Sequence, residues 1–231
     1  MSGSESSKAR ILIVDDHPIV RQGMALLINR EADLHVCCEA SDGEQALAMN
    51  AACPHQLAIV DLSLAGISGL DLVKQLQHRY PDLAILMMSM HDETVYAERA
   101  LRAGARGYLM KQEATTTILT AIRLILRGER YVSDRMRSRL LEQRVHGTNA
   151  ESPIAGLTAA EFEVLHLIGM GLGTSEIGEK LRRSVKTIES HRANIKRKLK
   201  LASGNELVLF SINWVNGNRM TAPLKAPEGN P

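Results

Sequence analysis

Two apolar runs in this chain end in acid. Ile11-Leu12-Ile13-Val14 leads into Asp15-Asp16, and Leu57-Ala58-Ile59-Val60 leads into Asp61. A short apolar run without alternation fits a strand buried on both faces of a parallel sheet. Parallel strands finish on one edge, and in open α/β sheets ligands bind at that edge. A single acid after a strand more often caps the next turn. The repetition is what points to a site. Three carboxylates brought together repel and raise one another's pKa unless a cation lies between them. Oxygen ligands with few charges suit Mg²⁺, which keeps several waters and binds phosphate oxygens.

The elements that would position these acids follow from the spacing of apolar residues. A first strand over 11–14 stops at His17-Pro18, and Pro18 suits the first turn of a helix. Ile19, Val20, Met24, Leu27 and Ile28 then recur at helical spacing. Residues 34–39 read as a second strand. Ser41-Asp42-Gly43-Glu44 has the spacing of a capping box before a helix through Ala52. The Asp61 strand is the third. After Gly66 and Gly69 a helix over 70–80 turns Leu72, Val73 and Leu76 inward. Residues 83–88 form a fourth strand ending at Ser89, and Asp92 caps a helix to Ala103. Residues 108–110 form a fifth strand ending at Lys111, and a helix over 115–127 stops at Gly128. Five strand–helix repeats predict a parallel, doubly wound α/β sheet. Asp15, Asp16, Asp61, Ser89 and Lys111 all fall at carboxyl ends of its strands.

The character changes after residue 130. Residues 131–156 hold a possible short helix and a polar stretch rich in Gly, Asn and Ser, and read as a linker. From Leu157 onward only helical patterns occur. Thr158-x-x-Glu161 opens a helix with Phe162, Leu165 and Ile168 inward. Gly169, Gly171 and Gly173 mark a turn, Thr174 can cap a short helix, and Ser184 can cap a longer one through Leu199. Ser203-x-x-Glu206 opens a last, apolar helix. Two helices joined by a tight turn suggest a helix-turn-helix. Residues 180–200 carry nine Lys or Arg and a single acid, Glu189. A basic run alone is as well read as a solvated face. On the second helix of a helix-turn-helix it points to DNA.

Composition narrows the class. The 231 residues suffice for two ordinary domains, and the formal net charge of +2 hides the uneven basic run. The three cysteines form no CxxC pair, so reduced thiols are expected. No signal-peptide pattern and no membrane-length apolar run is present, which predicts a cytoplasmic protein that does not engage the membrane.

Asp15-Asp16, Asp61, Ser89, Tyr108 and Lys111, in that order and spacing, resemble the receiver domain of two-component response regulators. Leu157-Thr158-x-x-Glu161, Glu176-Ile177 and Ser184-Val185-Lys186-Thr187-Ile188-Glu189-x-His191 resemble a LuxR-type helix-turn-helix. Together they resemble the NarL/FixJ class of transcriptional response regulators. The resemblance implies a receiver over 8–130, a linker over 131–156, a DNA-binding domain over 157–217 and a disordered tail over 218–231.

It also implies roles. Asp61 accepts a phosphoryl group from a sensor histidine kinase. Asp16 binds Mg²⁺ directly, Asp15 mainly through water, and Asp61 with the Ser63 carbonyl completes the protein ligands. Lys111 pairs with phosphoryl oxygens, Ser89 turns its hydroxyl toward them, and Tyr108 moves with Ser89. Residues 185–200 are the recognition helix. Lys186, Thr187, His191 and Lys196 contact DNA mainly at phosphates, Lys200 also contacts DNA, and Glu189, Ser190 and Ala193 face base edges of promoter DNA. The last helix serves a homodimer, formed on phosphorylation or on DNA. Leu64-Ala65-Gly66 departs from the Met-Pro-Gly often found after the phosphoacceptor, without losing a ligand.

The rival readings are a metal-dependent aspartyl phosphatase and a receiver with a protein-binding output. The phosphatase chemistry needs a second Asp two residues after the first, where Ser63 stands. Walker-loop and His-Glu-x-x-His patterns are also missing from the sequence.

Overall fold

The structure is a computed structural model that describes residues 8–64, 66–90, 93–145, 153–181 and 183–215. The chain divides into two compact units, Met1–Asn149 and Ala150–Pro231.

The first unit is built on five parallel strands: β1 (Ala9–Val14), β2 (Leu34–Ala40), β3 (Leu57–Asp61), β4 (Ala84–Ser89) and β5 (Gly107–Met110). Their order is β2-β1-β3-β4-β5, so the chain reverses direction across the sheet between β1 and β3. That reversal opens the crevice in which doubly wound sheets bind ligands. Five helices make the crossovers: α1 (Pro18–Asn29), α2 (Gly43–Ala52), α3 (Gly69–Arg79), α4 (Glu93–Ala103) and α5 (Ala114–Leu126). Every residue of β3 and β4 is buried, as their unbroken apolar sequences require. Val14 pairs with Val60, Asp61 with Met88 and Ser89 with Met110, so the ends of four strands arrive together at one edge.

Capping differs from expectation at α2. Asp42, not Ser41, is the N-cap of α2, its Oδ1 accepting from the Gln45 amide at 2.9 Å. Gln45 Nε2 donates to Asp42 Oδ2 at 2.7 Å, and Gln45 Oε1 accepts from the Ser41 amide. The box is therefore shifted by one residue, with Gln in the place expected of Glu. The proposed Asp92 cap lies outside the described residues.

Gly69 is needed for close approach. A Cβ there would lie 2.1 Å from the Asp61 carbonyl oxygen and 2.8 Å from Leu62 Cα. Helix α3 therefore starts directly beneath the end of β3. Gly69→Ala should cost about 1–3 kcal/mol, in line with overpacked cores, and should slow any chemistry at Asp61 by moving its backbone. Denaturant melts and labelling rates with acetyl phosphate check both, and wild-type values in both would refute the close-packing argument.

The stretch read as the start of the linker is ordered. Tyr131 bridges Gly107 in parallel, extending the sheet edge beside β5. The Tyr108 amide donates to the Tyr131 carbonyl at 3.0 Å, and the Tyr131 amide to the Arg106 carbonyl at 3.0 Å. A helix, α6 (Asp134–Val145), follows, with Met136 buried. Ser133 caps its start, its Oγ accepting from the Met136 amide and donating to Glu93 at the start of α4. The possible short helix read here is therefore present, but its few apolar residues among many charges do not show what it packs against. The backbone bonds to β5 hold this segment, and they leave no mark in sequence.

The second unit holds α7 (Ala159–Gly169), α8 (Thr174–Lys180), α9 (Val185–Leu199) and α10 (Gly204–Val215). Thr158 and Glu161 form the expected capping box, with Thr158 N donating to Glu161 Oε2 at 2.8 Å. The same oxygen lies 2.6 Å from Lys198 Nζ, so Glu161 also ties α7 to α9. Burial alone would raise the Glu161 pKa. The Lys198 ammonium and the Thr158 amide outweigh it, and the carboxyl ends below its ordinary value. Helix α8 begins one residue earlier than expected, with Gly173 as N-cap. Its amide donates to Glu176 Oε2 at 2.6 Å. Ser184 caps α9, and Ser203 receives the Glu206 amide at the start of α10. A Cβ on Gly169 would lie 2.4 Å from the Ser211 carbonyl oxygen, which shows how closely α10 lies against α7. The tail over 218–231 lies outside the described residues.

Candidate functional site

Asp15 follows β1 and is fully buried, and Asp61 ends β3 with 2% of its surface exposed. Lys111, the first residue after β5, reaches back between them. Its Nζ lies 2.7 Å from Asp15 Oδ2 and 2.8 Å from Asp61 Oδ2. Burial pushes the Asp61 carboxyl up and Asp15 adds to this. Lys111 and the Ser63 backbone oppose them, and the balance leaves the pKa at about 6. Burial would lower the pKa of Lys111, but Asp61 and Asp15 outweigh it and the ammonium is held charged.

Asp16 joins the same group. Asp15, Asp16, His17 and Asp61 each offer a ligand atom, all within 4.8 Å of one another. His17 was expected only to break the strand. Its Nδ1 lies 2.7 Å from Asp16 Oδ1 and 3.2 Å from Asp15 Oδ1, and its amide donates to Asp15 Oδ1 at 2.9 Å. Its place immediately after the acid pair was the only available sequence signal. Three carboxylates against one ammonium leave a negative surplus, and a small divalent cation held by oxygen suits that surplus. This charge balance fits Mg²⁺.

Ser89 ends β4 next to Asp61 and is fully buried, and Tyr108 on β5 is 1% exposed. The expected acceptor, acids, lysine, serine and tyrosine therefore belong to neighbouring strands at one edge. Ala65 of the departing loop lies outside the described residues, while Gly66 takes φ +87°.

In the second unit, α8 and α9 form the expected helix pair. Lys186, Glu189, Ser190, Ala193 and Lys200 are exposed. Helical spacing puts Lys186, Glu189, Ser190 and Ala193 on one face. Thr187, His191 and Lys196 are half-buried at its flanks. Thr187 Oγ1 is 2.8 Å from Ser184 Oγ at the cap. Burial, followed by the opposed charges of Glu161 and Arg183, leaves the His191 pKa below its usual value, so this ring is neutral at pH 7. Lys198, counted in the basic run, is engaged with Glu161. Arg182 lies outside the described residues.

Comparison with known proteins gives the same division. Residues 11–123 match the response regulator receiver domain, and residues 155–211 match the bacterial regulatory proteins of the luxR family. The oxygen regulatory protein NreC of Staphylococcus carnosus is 35% identical over 209 residues, covering 88% of this chain and 96% of that one. The chain belongs to the LuxR-type response regulators. Among solved structures, a LuxR-family two-component response regulator from Aurantimonas sp. SI85-9A1 is similar at 34% identity and TM-score 0.56. It covers 60% of this chain and 99% of that one. RcsB from Salmonella enterica serovar Typhimurium, bound to promoter rprA with the phosphomimetic BeF3-, is 27% identical with TM-score 0.58. The match covers 89% of this chain and 99% of that one. A receiver followed by a LuxR-type helix-turn-helix makes this chain a transcriptional response regulator of a two-component system. Among the described residues no helix is long and apolar enough to cross a membrane.

Proposed function

We infer that the edge of β1, β3, β4 and β5 is a phosphoacceptor site that controls DNA binding by α9. The observation that carries this reading is Lys111 held between Asp15 and Asp61 at the strand ends. An Asp61 oxygen attacks the phosphorus of a phosphohistidine on the sensor kinase. The new O–P bond forms as the P–N bond breaks, and the histidine nitrogen leaves with the electron pair. Asp15, Asp16, Asp61 and the Ser63 carbonyl would hold Mg²⁺, which neutralises charge on the transferring phosphoryl group. Lys111 supplies a second positive charge, already aimed by its two carboxylates. This chemistry serves signalling, and no dedicated enzyme is proposed.

The phosphoryl group adds acceptor oxygens beside a buried serine hydroxyl. Ser89 turns to donate to them, and Tyr108 on the neighbouring strand moves with it. The receiver limits are proposed as 8–130 and the DNA-binding limits as 157–217. The structured start of the 131–156 segment lies against β5, where Tyr108 sits. A homodimer places two copies of α9 on paired half-sites of promoter DNA. Leu209 of α10 is 61% exposed, an apolar residue on the helix proposed for that dimer.

The coupling is tested by Ser89→Ala. This variant should accept phosphate at Asp61 and lose most of the phosphate-dependent gain in DNA affinity. Labelling and fluorescence-anisotropy titrations are measured on the same sample. A variant that cannot be labelled yet keeps its response would refute the assignment.

A further inference from the structure

All three cysteines of the chain gather at one place with a histidine. Cys37 and Cys38 lie on β2, Cys53 caps the C-terminus of α2, and His55 precedes β3. Each offers a ligand atom, and the four atoms all lie within 4.8 Å of one another. The cluster is separate from the phosphoacceptor site, since His55 precedes β3 and Asp61 ends it.

Adjacent strand residues ordinarily point to opposite faces, so Cys37 and Cys38 should not share a site. A bulge removes the difficulty. Ile11 pairs with Val36 and Leu12 with Cys38, which leaves Cys37 as the extra residue. Bulges re-aim side chains and are rare between parallel strands. This one brings two neighbouring sulfurs to one cluster.

The histidine supplies an independent observation. His55 is 8% exposed. Its Nδ1 is 2.8 Å from Asn50 Oδ1, an acceptor, so Nδ1 carries the proton. Nε2 is then the nitrogen with a free lone pair, and it is buried with no hydrogen-bond partner in the structure. Buried polar nitrogens are rarely left so. A histidine whose second nitrogen is fixed by a hydrogen bond is the usual form of a metal-ligating imidazole. Burial, then Arg10, holds His55 below its ordinary pKa and therefore neutral.

We propose that Cys37, Cys38, Cys53 and His55 bind one thiophilic metal ion, of the class of Zn²⁺ or Cu⁺. Three sulfurs and one imidazole are a closed tetrahedral donor set, and thiolates select these ions over Mg²⁺. Ligands of a tetrahedral zinc stand roughly 3.7 Å apart, and every pair here already lies within 4.8 Å, so small side-chain shifts suffice for loading. Binding a divalent ion converts three thiols to thiolates and releases up to three protons. Arg10 stands at the cluster, its Nη2 donating to Cys53 Sγ. It swings aside on loading. The site does not depend on the phosphotransfer reading, because it uses none of those residues.

The test uses the full, untagged, reduced and metal-free chain. Co²⁺ is titrated first, because thiolate-to-cobalt charge transfer arises only from cysteine ligands and all three cysteines lie here. One equivalent should saturate the band, and one equivalent of Zn²⁺ should abolish it. A parallel titration with Cu⁺ against a Cu⁺-specific chelator separates the two ions; tight binding of either supports the site. Cys53→Ser and His55→Gln should each weaken binding by more than 10-fold. Asn50→Ala, which acts through His55, should weaken it about 10-fold. Arg10→Gln should tighten it by removing a positive charge. Labelling by acetyl phosphate checks that each variant is folded. A wild-type chain with no thiolate band at one equivalent and no Cu⁺ retention overturns the proposal without any variant. So does unchanged binding in folded His55→Gln.

Discussion

Asp61→Asn should abolish labelling by acetyl phosphate with Mg²⁺, reducing it to background. The wild-type chain should carry one base-labile phosphoryl group that hydroxylamine removes, as an acyl phosphate must. An amide oxygen is a far poorer nucleophile than the carboxylate it replaces, and Asp15, the other buried acid on Lys111, is already engaged by the His17 amide. Loss of labelling will not reflect unfolding. A folded-state pKa of about 6, above the ordinary Asp value, means that ionised Asp61 costs stability at neutral pH. That cost is present above about pH 6 and fades as pH falls toward the unfolded value. The neutral amide removes it, so without Mg²⁺ the Asp61→Asn melting temperature at pH 7 should equal or exceed the wild-type value. Labelling that persists in this variant moves the acceptor elsewhere.

DNA affinity of the phosphorylated chain should fall by about 10³-fold or more between 50 and 200 mM salt. That is the counterion release expected when a dimer neutralises six or more phosphates. The charges proposed for this are Lys186, Lys196 and Lys200 of each copy. Replacing Lys186 by Ala should lower the slope of log affinity against log salt by about 0.9 for each phosphate no longer neutralised, with little change in sequence preference. Glu189→Ala should do the opposite, changing base preference and leaving the slope nearly intact. Phosphate contacts position the protein, and base contacts specify the site. Anisotropy titrations over several salt concentrations and a panel of operators separate the two effects. A Lys186→Ala slope equal to wild type would remove this helix face from the DNA interface.

Cys38→Ser is informative beyond its metal test. If the bulge positions both sulfurs, its loss should alter metal binding while labelling at Asp61 proceeds as in the wild type. That result would establish two independent chemistries on one sheet.

Much of this molecule was legible in its sequence, for local reasons. Runs such as Leu57-Ala58-Ile59-Val60 allow little but a buried parallel strand, and a parallel strand fixes the edge at which its last acid arrives. Caps such as Thr158 with Glu161 and Ser184 with Thr187 use residues three apart, so spacing alone reveals them. The acid pair, Asp61 and Lys111 could be assigned to one edge because strand alternation with helices dictates it. What tertiary structure decided depends on pairings between distant segments. Neither the one-residue slip between β1 and β2 that joins Cys37 to Cys38, nor the approach of α3 that demands Gly69, has a local signature. The same is true of the backbone bonds that tie Tyr131 to β5, and of the Lys198 ammonium that gives Glu161 a role beyond its cap. A cap or a strand is settled by neighbours in the chain, whereas these contacts are settled only when the packed sheet fixes which surfaces meet.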